Sequence, residues 1–149
     1  MNGGSATDSS GGASSAVDPV LVAHEEVSTM RLIRDSLLSF TLCEVDTCFS
    51  GEVAFERCLQ RRYKLIVLSL HLPVLPGELL YEMLAKVHHY SQVPGRFLPP
   101  VIFVGEAGDQ QRAEDLQRDV RVKGILIKPL RIDRILARAK LVLTERPMA

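Results

Sequence analysis

The chain has 149 residues, and its 18 basic and 18 acidic side chains cancel to a formal net charge of zero at pH 7. Apolar residues make up 46% of the chain, a share that excludes collagen-like and wholly disordered proteins and supplies a core for one domain. No apolar run approaches the roughly 18 residues of a membrane span, and the start of the chain has neither the basic nor the apolar region of a secretory signal. Three cysteines without paired metal-ligand spacing, Cys43, Cys48 and Cys58, predict reduced thiols in a cytoplasmic protein.

Composition divides the chain into tails and one domain. Residues 1–18 are mostly Gly, Ser, Ala and Asp, which predicts a disordered tail. The folded domain is expected over residues 19–145, and residues 146–149 are expected to form a short C-terminal tail. Residues 90–99, rich in Pro and Gly, predict a long irregular connection, and long connections in compact domains are often recognition elements.

Apolar periodicity predicts five strands, each followed by a helix. The strands are expected at residues 20–23, 42–47, 65–68, 101–104 and 124–127. The helices are expected at residues 28–40, 50–59, 78–88, 109–119 and 132–143. Ser28 or Thr29 is the expected cap of the first helix, and Val53 and Leu59 belong to the expected apolar face of the second. Strands that alternate with helices in this way indicate an α/β fold, a doubly wound parallel sheet with helices on both faces.

The functional crevice of such a sheet lies beyond the carboxyl ends of its strands, where parallel strands bring their last residues to one edge. This rule selects the polar and small residues that follow four of the predicted strands. They are Glu25 and Glu26 after the first strand, Ser69 after the third, Gly105 and Glu106 after the fourth, and Lys128 after the fifth.

Four segments at these strand ends resemble the receiver domain of bacterial response regulators. They are residues 20–31, with an acidic pair at the entry to the first helix; residues 65–77, with the spacing Leu-x-x-Pro-x-x-x-Gly; residues 100–104; and residues 124–130, with a Lys-Pro turn. The resemblance covers about residues 19–143. It implies a CheY-like, flavodoxin-like (βα)5 fold with five parallel strands in the order 2-1-3-4-5.

In that family an aspartate accepts a phosphoryl group beside a magnesium ion held by an acidic pair. The resemblance places Ser69 at the acceptor position, and a seryl hydroxyl is neutral and a poor nucleophile without an activating base, so no acyl phosphate is expected. Glu25 and Glu26 match the acidic pair, although a shift of one residue would align His24 and Glu25 instead. With a longer side chain at each acidic position and no aspartate at the acceptor, magnesium binding is expected to be weak at most. No other metal and no cofactor is expected.

The remaining parts of the family's switch are also altered. Lys128 matches the lysine that balances phosphoryl charge, and the resemblance implies a cis peptide bond to Pro129. Without a phosphoryl group, Lys128 is expected to bond to one of the two glutamates. Gly105 replaces the family's hydroxyl-bearing residue, and Ile125 replaces its aromatic switch. This combination predicts a receiver that does not respond to phosphorylation.

Basic residues are concentrated in the last third of the chain, which in this family carries the fourth helix, fifth strand and fifth helix used for dimers and targets. The candidate interaction face contains Arg118, Arg121, Lys123, Arg131, Arg134 and Arg138. A basic face of this kind suits an acidic protein partner, such as a histidine kinase or another signalling protein, or a second copy of the chain. The lack of aromatic residues in this part of the chain disfavours nucleic acid.

The sequence therefore predicts a stand-alone, atypical receiver, or pseudo-receiver. It is expected to act as a phosphorylation-independent protein-interaction module in two-component-type signal transduction and not as an enzyme. Two alternatives stay open: an active phosphorelay receiver that uses unconventional residues, and a nucleic-acid-binding protein that uses the basic face.

Overall fold

A computed structural model describes residues 17–90 and 98–147. The predictions for the tail at residues 1–16, for most of the connection at residues 90–99 and for the last two residues lie outside the described part of the chain. None of the described helices is long and apolar enough to cross a membrane.

The described chain forms one five-stranded parallel sheet. Its strands are β1 (Asp18–Ala23), β2 (Cys43–Cys48), β3 (Leu65–Ser69), β4 (Val101–Gly105) and β5 (Val122–Ile127). The helices are α1 (Val27–Phe40), α2 (Gly51–Gln60), α3 (Gly77–Tyr90), α4 (Gln110–Leu116) and α5 (Ile132–Ala139), with a 3-10 turn (Ala107–Asp109) before α4. The strand order is β2-β1-β3-β4-β5, and every pair is parallel, so the expected fold class and topology are confirmed.

Successive residues of the central strands are buried on opposite faces of the sheet. In β1, Val20 and Val22 contribute to the core that also contains buried residues of α1 and α5. Leu21 and Ala23 contribute to the core that contains buried residues of α2 and α3. Burial on both faces explains why these strands are continuous apolar runs in the sequence.

The prediction that Ser28 or Thr29 caps α1 is wrong, because both lie inside the helix. The helix begins at Val27, and the N-cap residue is Glu26, in an extended conformation. Thr29 uses its hydroxyl to donate to the Glu26 carboxylate at 2.9 Å, and the Glu26 backbone N–H is bound by His24. The residues before α1 are held by contacts with His24 and Thr29, and a search for a Ser or Thr cap in the sequence does not detect such contacts.

Both C-terminal helices are shorter than predicted. After Ala139 the chain continues in i→i−3 turns, such as Leu141 N–H to Arg138 O at 3.2 Å, and the end of α4 is tightened in the same way from Asp119 N–H to Leu116 O at 3.2 Å. The apolar pattern continues through these turns because a 3-10 turn has a period close to that of an α-helix.

The expected apolar face of α2 is also partly wrong. Val53 and Leu59 are 39% and 38% exposed, whereas Ala54 is fully buried. Phe55 and Cys58 are half-buried against the same core. The buried stripe of this short helix is therefore rotated away from Val53.

Candidate functional site at the carboxyl edge of the sheet

The register of the sheet brings the predicted strand-end residues to one edge. Ala23 of β1 pairs with Leu68 of β3, and Ser69, the next residue of β3, pairs with Val104 of β4. His24 therefore lies level with Ser69 on the neighbouring strand, and the connections that follow β1, β3, β4 and β5 surround them. These connections form the crevice discussed below.

Lys128 connects three of these segments. Its ammonium contacts the Glu26 carboxylate and lies 3.1 Å from Glu106 Oε2. Burial of Lys128 lowers its pKa, but the hydrogen bonds to the two carboxylates raise it more, and the net shift of the pKa is upward. The same contact holds the pKa of the Glu26 carboxyl below its usual value. The Lys128–Pro129 peptide bond is cis.

Ser69 is buried beneath the loop that follows it. The residue is 1% exposed, and its Oγ accepts a hydrogen bond from the His71 backbone N–H at 3.1 Å. Gly77 approaches the same residue closely, because a β-carbon there would lie 2.2 Å from the Ser69 carbonyl oxygen. Among the described contacts, Lys128 reaches Glu26 and Glu106 but not Ser69. No described contact thus joins Ser69 to Lys128, the lysine expected in the same crevice.

His24 and Glu25 hold two buried polar atoms without partners among the described residues, His24 Nε2 and Glu25 Oε1. His24 Nδ1 accepts a hydrogen bond from the Glu26 backbone N–H at 2.9 Å, so the neutral ring carries its proton on Nε2. Burial lowers the pKa of His24 more than the neighbouring glutamates raise it. The 3.6 Å separation of His24 Nδ1 and Glu25 Oε1 is consequently a contact with a neutral ring and not an ion pair.

A buried carboxylate that the sequence pattern did not indicate lies on the β4 side of the crevice. Asp109 is 6% exposed, and its Oδ2 accepts from the Glu106 backbone N–H at 2.7 Å and lies 2.6 Å from His71 Nε2. Arg112 Nη1 lies 3.3 Å from Oδ1 of the same carboxylate. The carboxylate of Asp109 follows Glu106 by three residues, the spacing of a capping box, and this was the only available signal.

The side chains of the crevice do not fit the magnesium ion that the resemblance implies. Magnesium requires oxygen ligands in octahedral geometry. The carboxylate of Glu26 already binds Lys128 and Thr29, and Ser69 is neutral and hydrogen-bonded. Within residues 17–90 and 98–147, no group of three or more His, Cys, Asp or Glu side chains is arranged to hold a metal ion.

The six basic residues of the predicted interaction face differ in their surroundings. Arg121 pairs with Asp119 at 2.8 Å and stacks over the Tyr81 ring, and Arg131 pairs with Asp133 at 3.1 Å. The other four have no carboxylate within ion-pair distance in the described part of the chain: Arg118, Lys123, Arg134 and Arg138.

A shallow groove of about 180 Å³ separates β5 from α5. Its lining includes the apolar residues Ile125 and Leu126 and the basic residues Arg134 and Arg138. The aliphatic part of the Arg138 side chain lies on Gly124, where a β-carbon would come within 2.7 Å of it. This groove at the edge strand β5 therefore has an apolar lining and two arginines, Arg134 and Arg138, without a carboxylate partner among the described residues.

Comparison with solved structures identifies the fold. A signal receiver domain from Vibrio parahaemolyticus matches with a TM-score of 0.71 and 20% identity, over 84% of this chain and 88% of that chain. The receiver domain of a Francisella response regulator matches with a TM-score of 0.69 and 21% identity, over 83% and 94% of the two chains. The receiver domain of NtrX from Brucella abortus matches with a TM-score of 0.66 and 24% identity, over 82% and 95%.

Comparison at the level of sequence gives no match. No protein-family model matches the chain. No curated protein matches it either. The topology and the structural matches together establish that the described chain has the fold of a response regulator receiver domain.

Proposed function

We propose that this protein is a pseudo-receiver: a receiver-fold module of two-component-type signalling that acts through protein contacts without being phosphorylated on an aspartate. The single observation that carries the proposal is the state of Ser69, which stands at the end of the central strand β3. It is an alcohol, it is 1% exposed, and its oxygen already accepts a hydrogen bond from His71.

The charges of the crevice support the same proposal. Phosphoryl transfer is catalysed mainly by positioning and by neutralising the negative charge of the phosphoryl group. Here the ammonium of Lys128 is already neutralised by Glu26 and Glu106, and Glu25 places a further carboxylate next to His24. A phosphoryl dianion would therefore meet a lysine whose charge is already paired and carboxylates that repel it.

The positions expected to report phosphorylation also lack the necessary groups. Gly105 has no hydroxyl, and the place that a side chain would occupy there is filled by Asp109. Ile125 is a half-buried aliphatic residue that packs against the core and has no polar group to redirect. The surface that partner proteins contact therefore has a single conformation, which phosphorylation does not change.

The surface that we propose for partners is the face formed by α4, β5 and α5. Its four unpaired basic residues and the apolar groove beside β5 favour an acidic protein partner, such as a histidine kinase or another signalling protein, or a second copy of the chain. Nucleic acid is the weaker candidate, because residues 112–146 contain no aromatic residue and Tyr81, which lies against Arg121, is buried and not available to stack on bases.

A small phosphodonor tests the proposal directly. We expect that acetyl phosphate with Mg²⁺ leaves no hydroxylamine-sensitive phosphoryl adduct in the mass spectrum, and that beryllofluoride with Mg²⁺ leaves the amide chemical shifts of residues 69–71 unchanged. A receiver domain with an intact acceptor aspartate, treated in parallel, provides the positive control. A labile adduct, or shifts confined to the crevice, would favour the alternative of an active receiver that uses unconventional residues.

A further inference from the structure

A cluster of polar and charged side chains around one buried carboxylate joins three segments that are distant in the sequence. His71 lies in the β3–α3 loop, Asp109 in the turn after β4, and Glu78 in the first turn of α3. Asp109 is the centre, because its two carboxylate oxygens receive donors from the other segments and from its own turn. It is almost fully buried, whereas the side chain of His71 is 43% exposed.

Arg112 extends the cluster to the neighbouring helix. From α4 it lies 3.3 Å from Asp109 Oδ1 with one guanidinium nitrogen and 2.5 Å from Glu78 Oε1 with another. A charge-assisted hydrogen bond is about twice as strong as a neutral one, and a guanidinium that serves two carboxylates holds both at a defined geometry. The turn after β4 is thereby connected on one side to the β3–α3 loop and on the other to the start of α3.

The end of β4 is shaped to accept this carboxylate. A β-carbon at Gly105 would lie 3.0 Å from Asp109 Oδ2 and 3.2 Å from both Asp109 Cβ and Leu70 Cδ1, closer than neighbouring atoms normally come. Glycine is therefore the residue that lets the carboxylate sit against the strand end. Gly105 and Asp109 act as a matched pair.

We propose that Asp109 is the centre of an internal latch that ties the turn after β4 to the β3–α3 loop and holds α4 in one position whatever occupies the crevice. The buried carboxylate supplies, from within the chain, the negative charge that attracts His71, Arg112 and the Glu106 N–H. Since α4 leads directly to Arg118, the latch also fixes the start of the basic face. This deepens the proposed function, because it gives a physical reason for a surface with a single state.

Amide hydrogen exchange measured by NMR on the full chain tests the latch. The reporter amides are those of Glu106, which donates to Asp109, and of His71 and Asp109, which lie in the two tied segments. In Asp109→Asn we expect these amides to exchange about 10- to 100-fold faster, the effect of losing hydrogen bonds to a charged group, while the amide of His24 in the sheet keeps its protection.

Asp119→Asn is the matched control. Asp119 also carries a carboxylate bonded to an arginine, Arg121, but it lies beyond the far end of α4. We expect this variant to leave the three reporter amides within about twofold of the unmodified chain, since the described contacts of the Asp119 carboxylate are with Arg121 and not with any member of the cluster. Equal acceleration of exchange in both variants, or acceleration over the whole sheet, would mean that Asp109 contributes only to global stability. Either result would overturn the latch.

Two milder variants keep the test valid if Asp109→Asn does not fold. Gly105→Ala retains every charge but presses on the carboxylate, and Arg112→Gln removes one donor. Both are expected to accelerate exchange at Glu106 and His71, and unchanged exchange in both would refute the latch. No phosphodonor is used, so a phosphorylated adduct would refute the proposed function and leave this result standing.

Discussion

At the scale of single residues, the described crevice is defined by which carboxylates find cations and which do not. Lys128 serves Glu26 and Glu106, and Arg112 serves Asp109 and Glu78. These contacts differ in burial, and burial decides their energy. The contact of Lys128 with Glu26 is exposed on the carboxylate side and is weakened by water and salt. The carboxylate of Asp109 is buried, although its partners His71 and Arg112 are partly exposed.

The pH dependence of unfolding follows from Asp109. Burial raises the pKa of this carboxyl, but the hydrogen bonds from Glu106 and His71 and the charge of Arg112 lower it more, so the folded pKa lies below the unfolded value of 3.8. A depressed folded pKa stabilises the protein above the unfolded value, and that contribution is lost as the pH falls through the folded pKa. We expect Asp109→Asn to reduce the free energy of unfolding by about 1.5–3 kcal/mol near neutral pH.

Urea denaturation of both proteins between about pH 7 and pH 2.5 measures this. The difference in unfolding free energy should stay constant down to about pH 5 and shrink below the unfolded pKa, because the protonated carboxyl no longer attracts its donors. Two stability curves that remain parallel into strong acid would contradict the assignment of the depressed pKa to Asp109.

At the scale of secondary structure, α1 and α2 begin in different ways. In α2 the Ser50 hydroxyl oxygen accepts from the Val53 backbone N–H at 3.3 Å, a conventional N-cap, and Gly51 behind it is held against the β3–α3 loop by its N–H bond to Pro73 O. In α1 the residue that resembles a cap, Ser28, is exposed inside the helix and caps nothing.

Alanine substitution of these two serines is expected to give unequal results. Ser50→Ala should lower the free energy of unfolding by about 1 kcal/mol, because it leaves a helix N–H without its acceptor. Ser28→Ala should be neutral or slightly stabilising, because alanine has the higher helix propensity at an exposed interior position. Chemical denaturation compares them, and equal losses would mean that the cap geometry of Ser50 is unimportant in solution.

At the scale of the whole molecule, the basic and acidic side chains are equal in number but unevenly distributed over the surface. The formal net charge is zero, yet Arg118, Lys123, Arg134 and Arg138 lack carboxylate partners among the described residues and lie on the side of α4, β5 and α5. Such a face accelerates encounter with an acidic surface and does so less at high ionic strength.

Charge reversal tests whether this face recruits a partner. The double variant Arg134→Glu/Arg138→Glu is expected to lose proteins that the unmodified chain captures from extracts of its source cells, with losses of at least about tenfold for a docking site built on charged contacts. Arg31→Glu/Arg62→Glu is the matched control, since both arginines are exposed, lack a carboxylate partner among the described residues and lie on other parts of the surface. Equal recovery by both variants would place the docking site elsewhere, and binding to a generic duplex that falls steeply with salt would favour nucleic acid.

Much of the fold was predictable because burial on both faces makes each central strand a continuous apolar run. Polar residues, Gly and Pro separate these runs in the sequence. The runs at β1, β3 and β4 were located within two residues of their ends. The strand-end residues Glu26, Ser69 and Lys128 followed from the same pattern, since the carboxyl ends of parallel strands share an edge, whereas Asp109 did not. The ends of α1, α4 and α5 were not predictable to the residue, because caps and 3-10 turns there depend on contacts outside the periodic pattern.

The amino-acid sequence by itself determined the parallel sheet, the alcohol at the end of β3 and the glycine at the end of β4, because these depend on residue type and on position along a strand. Only the tertiary structure decided that Asp109 is bonded to His71, 38 positions earlier, and that Arg112 reaches Glu78, 34 positions earlier. The physical reason is that loops after adjacent strands meet only once the sheet has formed. A polar residue in a loop therefore carries no periodic signal of the partner that it will bury against.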